Sequence, residues 1–248
     1  KWLSLGSPAS RIVKTAEDNF WIAGEAGPCG PDTEIFYFRS NDEVPENYDL
    51  NDNRWVEIWN NVFMQYYKDK KGISELTQKN VDTGMGIERT TAILEGVNDN
   101  YLSSIWTDII KKIEEISGLS YAGNEKSMRI IADHLRTAVF ISADPAGIKP
   151  SNTDQGYILR RLIRRAIRHA RNLNIDINGD WDVEIAKIIL KKYQPYYQEL
   201  VTNEAAVFEN LASEKKKFSR TLEKGLKEFA KLTNGKTLVD GKTAFHLF

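Results

Sequence analysis

Two textures divide the chain. Up to about residue 100, apolar positions come in short aromatic and β-branched runs, Ile35-Phe36-Tyr37-Phe38 and Val56-Glu57-Ile58-Trp59-Asn60-Asn61-Val62-Phe63-Met64. Such runs suit strands. Gly24, Gly27, Pro28, Gly30 and Pro31 punctuate a loop before the first run, residues 41–53 read as a polar surface loop, and Lys68-Asp69-Lys70-Lys71-Gly72 reads as a turn. Beyond residue 100 the period changes. Ile105, Ile109, Ile110, Ile113 and Ile116 recur at helical spacing, as do Ile130, Ile131, Leu135, Ala138 and Val139 within Met128–Ile141. After a break at Asp144-Pro145-Ala146-Gly147 and Pro150, a helix is expected from Asp154 to Asn172, with Ser151 or Asn152 as its N-cap. Its apolar stripe is Leu159, Leu162, Ile163, Ala166, Ile167 and Ala170. A second break spans 172–182, and charged helices fill roughly 183–233. The pattern predicts an α+β part, then an all-α part, with the boundary near residue 100.

Composition narrows the class. The 248 residues are 41% hydrophobic and 28% charged, the balance of a globular chain. No apolar run reaches the roughly 18 residues of a membrane span. One Cys and three scattered His argue against a closed zinc site and against an internal disulfide. Net charge is −1, but residues 1–100 hold 10 basic and 17 acidic side chains, whereas residues 126–171 hold 10 and 3. A local +7 is a footprint for a polyanion, or a solvated helical face.

Most short motifs fail on spacing. Gly235-Lys236-Thr237 and Gly241-Lys242-Thr243 lack the upstream Gly of a phosphate loop, since Ala230 and Lys236 stand there. Gly84-Met85-Gly86 has Arg89 where a dinucleotide fingerprint needs its third Gly. The segment Val81-Asp82-Thr83-Gly84-Met85-Gly86-Ile87-Glu88-Arg89 reads as a strand end, a glycine bend and a helix start. Glycines there admit a ligand close to the backbone, Arg89 can reach a polyphosphate, and Asp82 can hold an ammonium group. An ordinary strand–turn–helix with a surface salt bridge is the alternative.

That segment resembles motif 3 of the class II aminoacyl-tRNA synthetases, and Val81-Asp82-Thr83 before it resembles the alanyl branch. Asn19-Phe20-Trp21, Gly27-Pro28-Cys29-Gly30-Pro31, Thr33-Glu34-Ile35, Glu57-Ile58-Trp59-Asn60, Val62-Phe63-Met64-Gln65, Ile131-Ala132-Asp133-His134-Leu135-Arg136, Pro150-Ser151-Asn152, Gly156–Ala166 and Ala244-Phe245 follow in the family's order. The family's second Cys after Gly-Pro-Cys-Gly-Pro is here Asp32.

The resemblance implies an alanine–tRNA ligase that uses ATP and Mg²⁺ to form alanyl-adenylate and passes alanine to the 3′ end of alanine tRNA. Residues 1–100 would be the C-terminal part of the catalytic domain, including motif 3, built on part of an antiparallel class II sheet. Residues 101–248 would be the helical tRNA-recognition domain. Asp82 would bind the α-ammonium of alanine, with Gly84, Trp21, Val62 and Asn60 around the amino acid. Gly86, Arg89 and Glu57 would serve ATP, Arg89 holding the γ-phosphate and stabilising charge that develops at the α-phosphorus. The resemblance also implies Glu57 and Asn60 as Mg²⁺ or substrate ligands; the alternative is edge polar residues of an aromatic strand. Asn152 would read the acceptor stem, or simply cap a helix. Arg160, Arg164, Arg168 and Arg171, at 4, 4 and 3 spacing, would line one tRNA-facing side of the helix, with Arg161 and Arg165 flanking its apolar stripe; some of these could pair with carboxylates of residues 1–100. His134 and His169 are expected as packing residues. The resemblance also implies a cytoplasmic protein without a membrane partner, zinc confined to an editing domain after Phe248, motifs 1 and 2 before Lys1, and an isolated chain that is inactive or acts only as an acceptor-stem binding module.

Overall fold

The computed structural model describes residues 1–15, 18–233 and 238–247. Gly235-Lys236-Thr237 and Phe248 lie outside the described residues. The chain separates into two units, Lys1–Ile105 and Trp106–Phe248.

The first unit is a four-stranded antiparallel meander followed by a short helix. Its strands are β1 (Phe20–Ile22), β2 (Gly27–Phe38), β3 (Trp55–Asp69) and β4 (Gly72–Met85), hydrogen-bonded in that order. The turn expected at 68–72 joins β3 to β4, with Gly72 at φ +127° and the Lys71 amide donating to Asp69 Oδ1 at 2.7 Å. Helix α1 (Ile87–Leu94) begins one residue after Gly86, as the glycine bend predicts.

The Gly-Pro segment 27–31 is not a loop. It is the first stretch of β2, pairing with both β1 and β3. A Cβ at Gly30 would stand 1.9 Å from the Phe63 carbonyl oxygen, so glycine is what lets the two backbones approach. Cys29, fully buried, pairs with Ile22 on one side and Tyr66 on the other. Further along, Phe38 packs on Trp55 at 5.0 Å between ring centroids, Trp55 on Tyr48 at 5.4 Å and Tyr48 on Phe36 at 5.1 Å. The Tyr48 ring, from the polar 41–53 loop, thus covers the apolar end of the sheet.

The second unit is helical: α2 (Thr107–Ser117), α3 (Glu125–Ala143), α4 (Asp154–Asn172), α5 (Trp181–Tyr193), α6 (Gln198–Thr202), α7 (Glu204–Thr233) and α8 (Gly241–Leu247). Helix α3 is its centre and packs against α2, α4, α5, α6 and α7. Ile131, Leu135, Leu159, Ile163, Ile185, Ile189 and Leu211 are buried among them. Each such side chain contributes about 1.5–3 kcal/mol by leaving water. The apolar stripe read for α4 is the face it buries, except that Leu162 stays half-buried. Its N-cap position is Thr153, not Ser151 or Asn152, and no side chain caps it. Ser151 is otherwise engaged: its hydroxyl donates to the Thr153 carbonyl at 2.8 Å and its amide to the Gly156 carbonyl at 3.0 Å. A Cβ at Gly156 would lie 2.4 Å from the Lys149 carbonyl, so this tight entry also needs glycine.

Helix α7 departs from the usual apolar inner stripe. Val207 and Leu211 are buried, but so are Asn210, Glu214, Lys215 and Ser219. Lys215 Nζ donates to Asp182 Oδ1 at 2.5 Å and to the Gly179 carbonyl at 2.7 Å, tying α7 to the start of α5. Among the described residues no helix is long and apolar enough to cross a membrane.

Candidate active site and nucleic-acid face

The register of β2, β3 and β4 gathers the candidate residues of the first unit on one sheet face. Asn60 stands between Glu34 on β2 and Gly84 on β4, and Val62 between Asp32 and Asp82. Directly opposite residues of an antiparallel sheet share a face, so these six form two adjacent rows. Glu57 would fall on the other face by strict alternation with Asn60. Ile35 pairs with Trp59 and Phe36 with Glu57, leaving Ile58 as an extra residue on β3. That bulge returns Glu57 to the face of Asn60.

Hydrogen bonds fix part of this face. Asp32 accepts from Asn60 Nδ2 at 3.1 Å and from Asn19 Nδ2 at 3.3 Å. Asn19 Oδ1 in turn accepts from the Thr15 hydroxyl at 2.7 Å. Asn60 Oδ1 is buried and, among the described residues, has no hydrogen-bond partner. Asp82, exposed on β4, accepts from the Thr83 amide at 2.8 Å. Trp21, opposite Gly30, donates its indole N–H to the Phe63 carbonyl at 3.3 Å, which seats it beside the residue that follows Val62.

Arg89 reaches back from the first turn of α1. Its guanidinium donates to Glu57 Oε2 at 2.7 Å and to the Glu57 carbonyl at 3.1 Å. A Cβ at Gly86 would crowd the Arg89 side chain at 3.2 Å, so glycine leaves room for that path. Burial, then the neighbouring carboxylates of Glu57, Asp32 and Asp18, push Glu34 above the usual carboxylate range, while Arg89 opposes them. Acceptors therefore outnumber donors on this face, the complement of a cationic group. Asp32, Glu34 and Asn19 are functional candidates to which the sequence reading assigned no role; the Asp-x-Glu alternation at 32 and 34 is the signal that could have placed them on one face.

In the second unit α4 carries the arginines, and they part company. Arg161, Arg165, Arg168 and Arg171 are exposed, whereas Arg160 and Arg164 are half-buried. Arg164 Nε meets Glu214 Oε1 of α7 at 2.5 Å, and its guanidinium lies 5.1 Å from the Phe218 ring centroid. Arg160 donates to Asn152 Oδ1 and lies over the Tyr157 ring at 5.4 Å. Of the face drawn through Arg160, Arg164, Arg168 and Arg171, the last two are exposed, and Arg161 and Arg165 form an outward row with Arg168. His169 lies against Ser127 of α3, with Nδ1 3.1 Å from the hydroxyl. Burial, reinforced by Arg165 and Arg168, lowers its pKa below the ordinary 6.5. His134 pairs with Asp133 at 3.0 Å, which holds that carboxyl below its usual range.

Sheet, glycine bend and helical unit together have the form of one synthetase class. The family described as tRNA synthetases class II (A) matches residues 1–248, and the chain belongs to it. The relatives it matches carry the name alanine–tRNA ligase. The protein of Borreliella afzelii is 43% identical over all of this chain and 43% of its own length. That of Treponema denticola is 50% identical over 83% of this chain and 35% of its own length. That of Neisseria meningitidis serogroup C is 38% identical over all of this chain and 29% of its own length. The chain spans less than half the length of these curated relatives.

Proposed function

We propose that the chain supplies the amino-acid side of the active site, and a tRNA-facing helix, of a cytoplasmic alanine–tRNA ligase. Residues 1–100 belong to the catalytic domain and residues 101–248 to the tRNA-recognition domain in this reading. The observation that carries it is the β3–β4 register, Asn60 opposite Gly84 and Val62 opposite Asp82, followed at once by Gly86 and Arg89. An ammonium group fits the Asp82 carboxylate and the unpaired Asn60 oxygen. Gly84 leaves the space for the substrate backbone. Val62 and Trp21 bound the room for a methyl group, a volume test that rejects large side chains better than glycine or serine.

Activation joins the alanine carboxylate oxygen to the α-phosphorus of ATP as the bond to pyrophosphate breaks. Arg89 offers a planar fork of donors to the phosphates, exchanging its present contact with Glu57 for phosphate oxygens and stabilising charge that develops in the transition state. Among the described residues no group of three or more His, Cys, Asp or Glu side chains is arranged to hold a metal. Mg²⁺ is commonly bound by substrate phosphates and one or two carboxylates, so Glu57 alone is a fitting protein ligand. When bound, the ion neutralises phosphate charge. The outward row Arg161, Arg165 and Arg168 gives phosphodiester contacts along the acceptor stem, with Arg160, Arg164 and Asn152 behind it; Asn152, whose amide suits a base edge, reads sequence in this proposal once Arg160 releases it.

The deciding experiment is alanine-dependent ATP–pyrophosphate exchange in the protein at its natural length. Asp82→Asn should raise the alanine KM by about 10- to 100-fold, the loss of a charge-assisted hydrogen bond, or abolish exchange. Wild-type kinetics in that variant would sink the assignment.

A further inference from the structure

We infer that Asp32 is a positioning residue: it sets the orientation of the Asn60 amide, and so decides that an oxygen rather than an N–H meets the substrate. The inference rests on the alanine-site reading above and adds a residue to it. A carboxylate only accepts hydrogen bonds, so the amide edge facing Asp32 must be Nδ2. The 3.1 Å contact from Asn60 Nδ2 to Asp32 Oδ2 is that edge. The amide is planar, so Oδ1 is turned away from Asp32. Among the described residues it is buried without a partner, and the residue across the register is Gly84, which has no side chain to satisfy it. An unpaired buried acceptor is costly unless a ligand completes it.

Asp32 is itself held in place. Its other oxygen accepts from Asn19 Nδ2 at 3.3 Å, and its backbone amide donates to the Asn19 carbonyl at 3.2 Å. Asn19 is anchored by Thr15, whose hydroxyl and amide donate to Asn19 Oδ1 at 2.7 and 3.2 Å. Thr15, Asn19, Asp32 and Asn60 therefore form a chain in which each polar group has one permitted role. The free end of that chain is the Asn60 oxygen. Beside it, in the next row, stands Asp82. Two acceptors so arranged fit an ammonium with two of its hydrogens directed at them; an Asn60 turned the other way would point an N–H at the cation.

The test is a swap. Asp32→Asn gives Asn60 a partner that can donate, so the Asn60 amide is free to turn over. In alanine-dependent exchange by the natural-length protein, the alanine KM should rise about 10- to 100-fold, the range of a hydrogen bond to a charged group. The ATP KM and the kcat at saturating alanine should stay within about threefold, because the residue touches neither phosphate nor the reacting carboxylate. The double variant Asp32→Asn/Asn60→Asp exchanges donor and acceptor across the same contact and keeps the net charge. It should recover an alanine KM within about fivefold of wild type. An unchanged alanine KM in Asp32→Asn, or a double variant no better than the single one, would overturn the inference. If Asp32→Asn does not fold, the double variant decides alone: a near-native alanine KM supports the inference and a raised one overturns it. Wild-type protein without alanine-dependent exchange would overturn the functional reading itself, and this inference with it.

Discussion

Lys215 shows how much one buried contact can carry. Its side chain is 11% exposed and that of Asp182 2%, and the ammonium donates to Asp182 Oδ1 and to the Gly179 carbonyl. Taking two charges out of water is repaid only while both are present. Lys215→Ala should therefore cost about 3–5 kcal/mol, because it strands the Asp182 carboxylate in the interior. Urea unfolding followed by circular dichroism measures this; a midpoint within error of wild type would show that the pair contributes nothing. Neither partner was visible in the sequence, where Asp182 reads as the end of a break and Lys215 as one of three consecutive lysines on a solvated helix. The same holds for Glu214 and Arg164, 50 residues apart. By contrast the strand end, bend and helix start that carry Asp82, Gly84, Gly86 and Arg89 were legible, because they lie within nine residues and their backbone demands are local.

Elements were read best where one face repeats. Helix α4 spans Asp154–Asn172, as its apolar stripe requires. Strand β4 was read only at its end, since Ser74, Glu75, Thr77, Gln78, Lys79 and Asn80 give it no apolar alternation; it is held by pairing with β3 while its side chains meet water. The bulge at Ile58 was not legible either, since it is a property of two strands together. Helix α4 also yields a prediction that only the structure could frame. Arg161→Gln, Arg165→Gln and Arg168→Gln should each weaken binding of alanine tRNA and reduce the salt slope of affinity by about 1. Arg164→Gln should instead lower stability and leave the salt slope in place, because its charge is spent on Glu214. Filter binding across a salt series separates the two outcomes. Equal slopes for all four variants would refute the division of the helix.

At the scale of the whole chain, a formal charge of −1 conceals a carboxylate-rich sheet unit and an arginine-rich helix. Each sign suits a ligand that its unit is proposed to meet, the ammonium of alanine in one case and the phosphodiester backbone of tRNA in the other. The chain also contains one cysteine, and the sheet closes over it: Cys29 is fully buried in β2, between β1 and β3. Its thiol is consequently a clock for the sheet. A brief pulse of alkylating reagent can mark only those molecules in which the packing around Cys29 has opened, and the mass of the protein then counts them. The native chain should stay unmodified long after the denatured chain is fully marked. Modification at the denatured rate would place the sulfur in solvent. Because there is one thiol, the count needs no site assignment, and because it lies in the first unit, it times the opening of that unit.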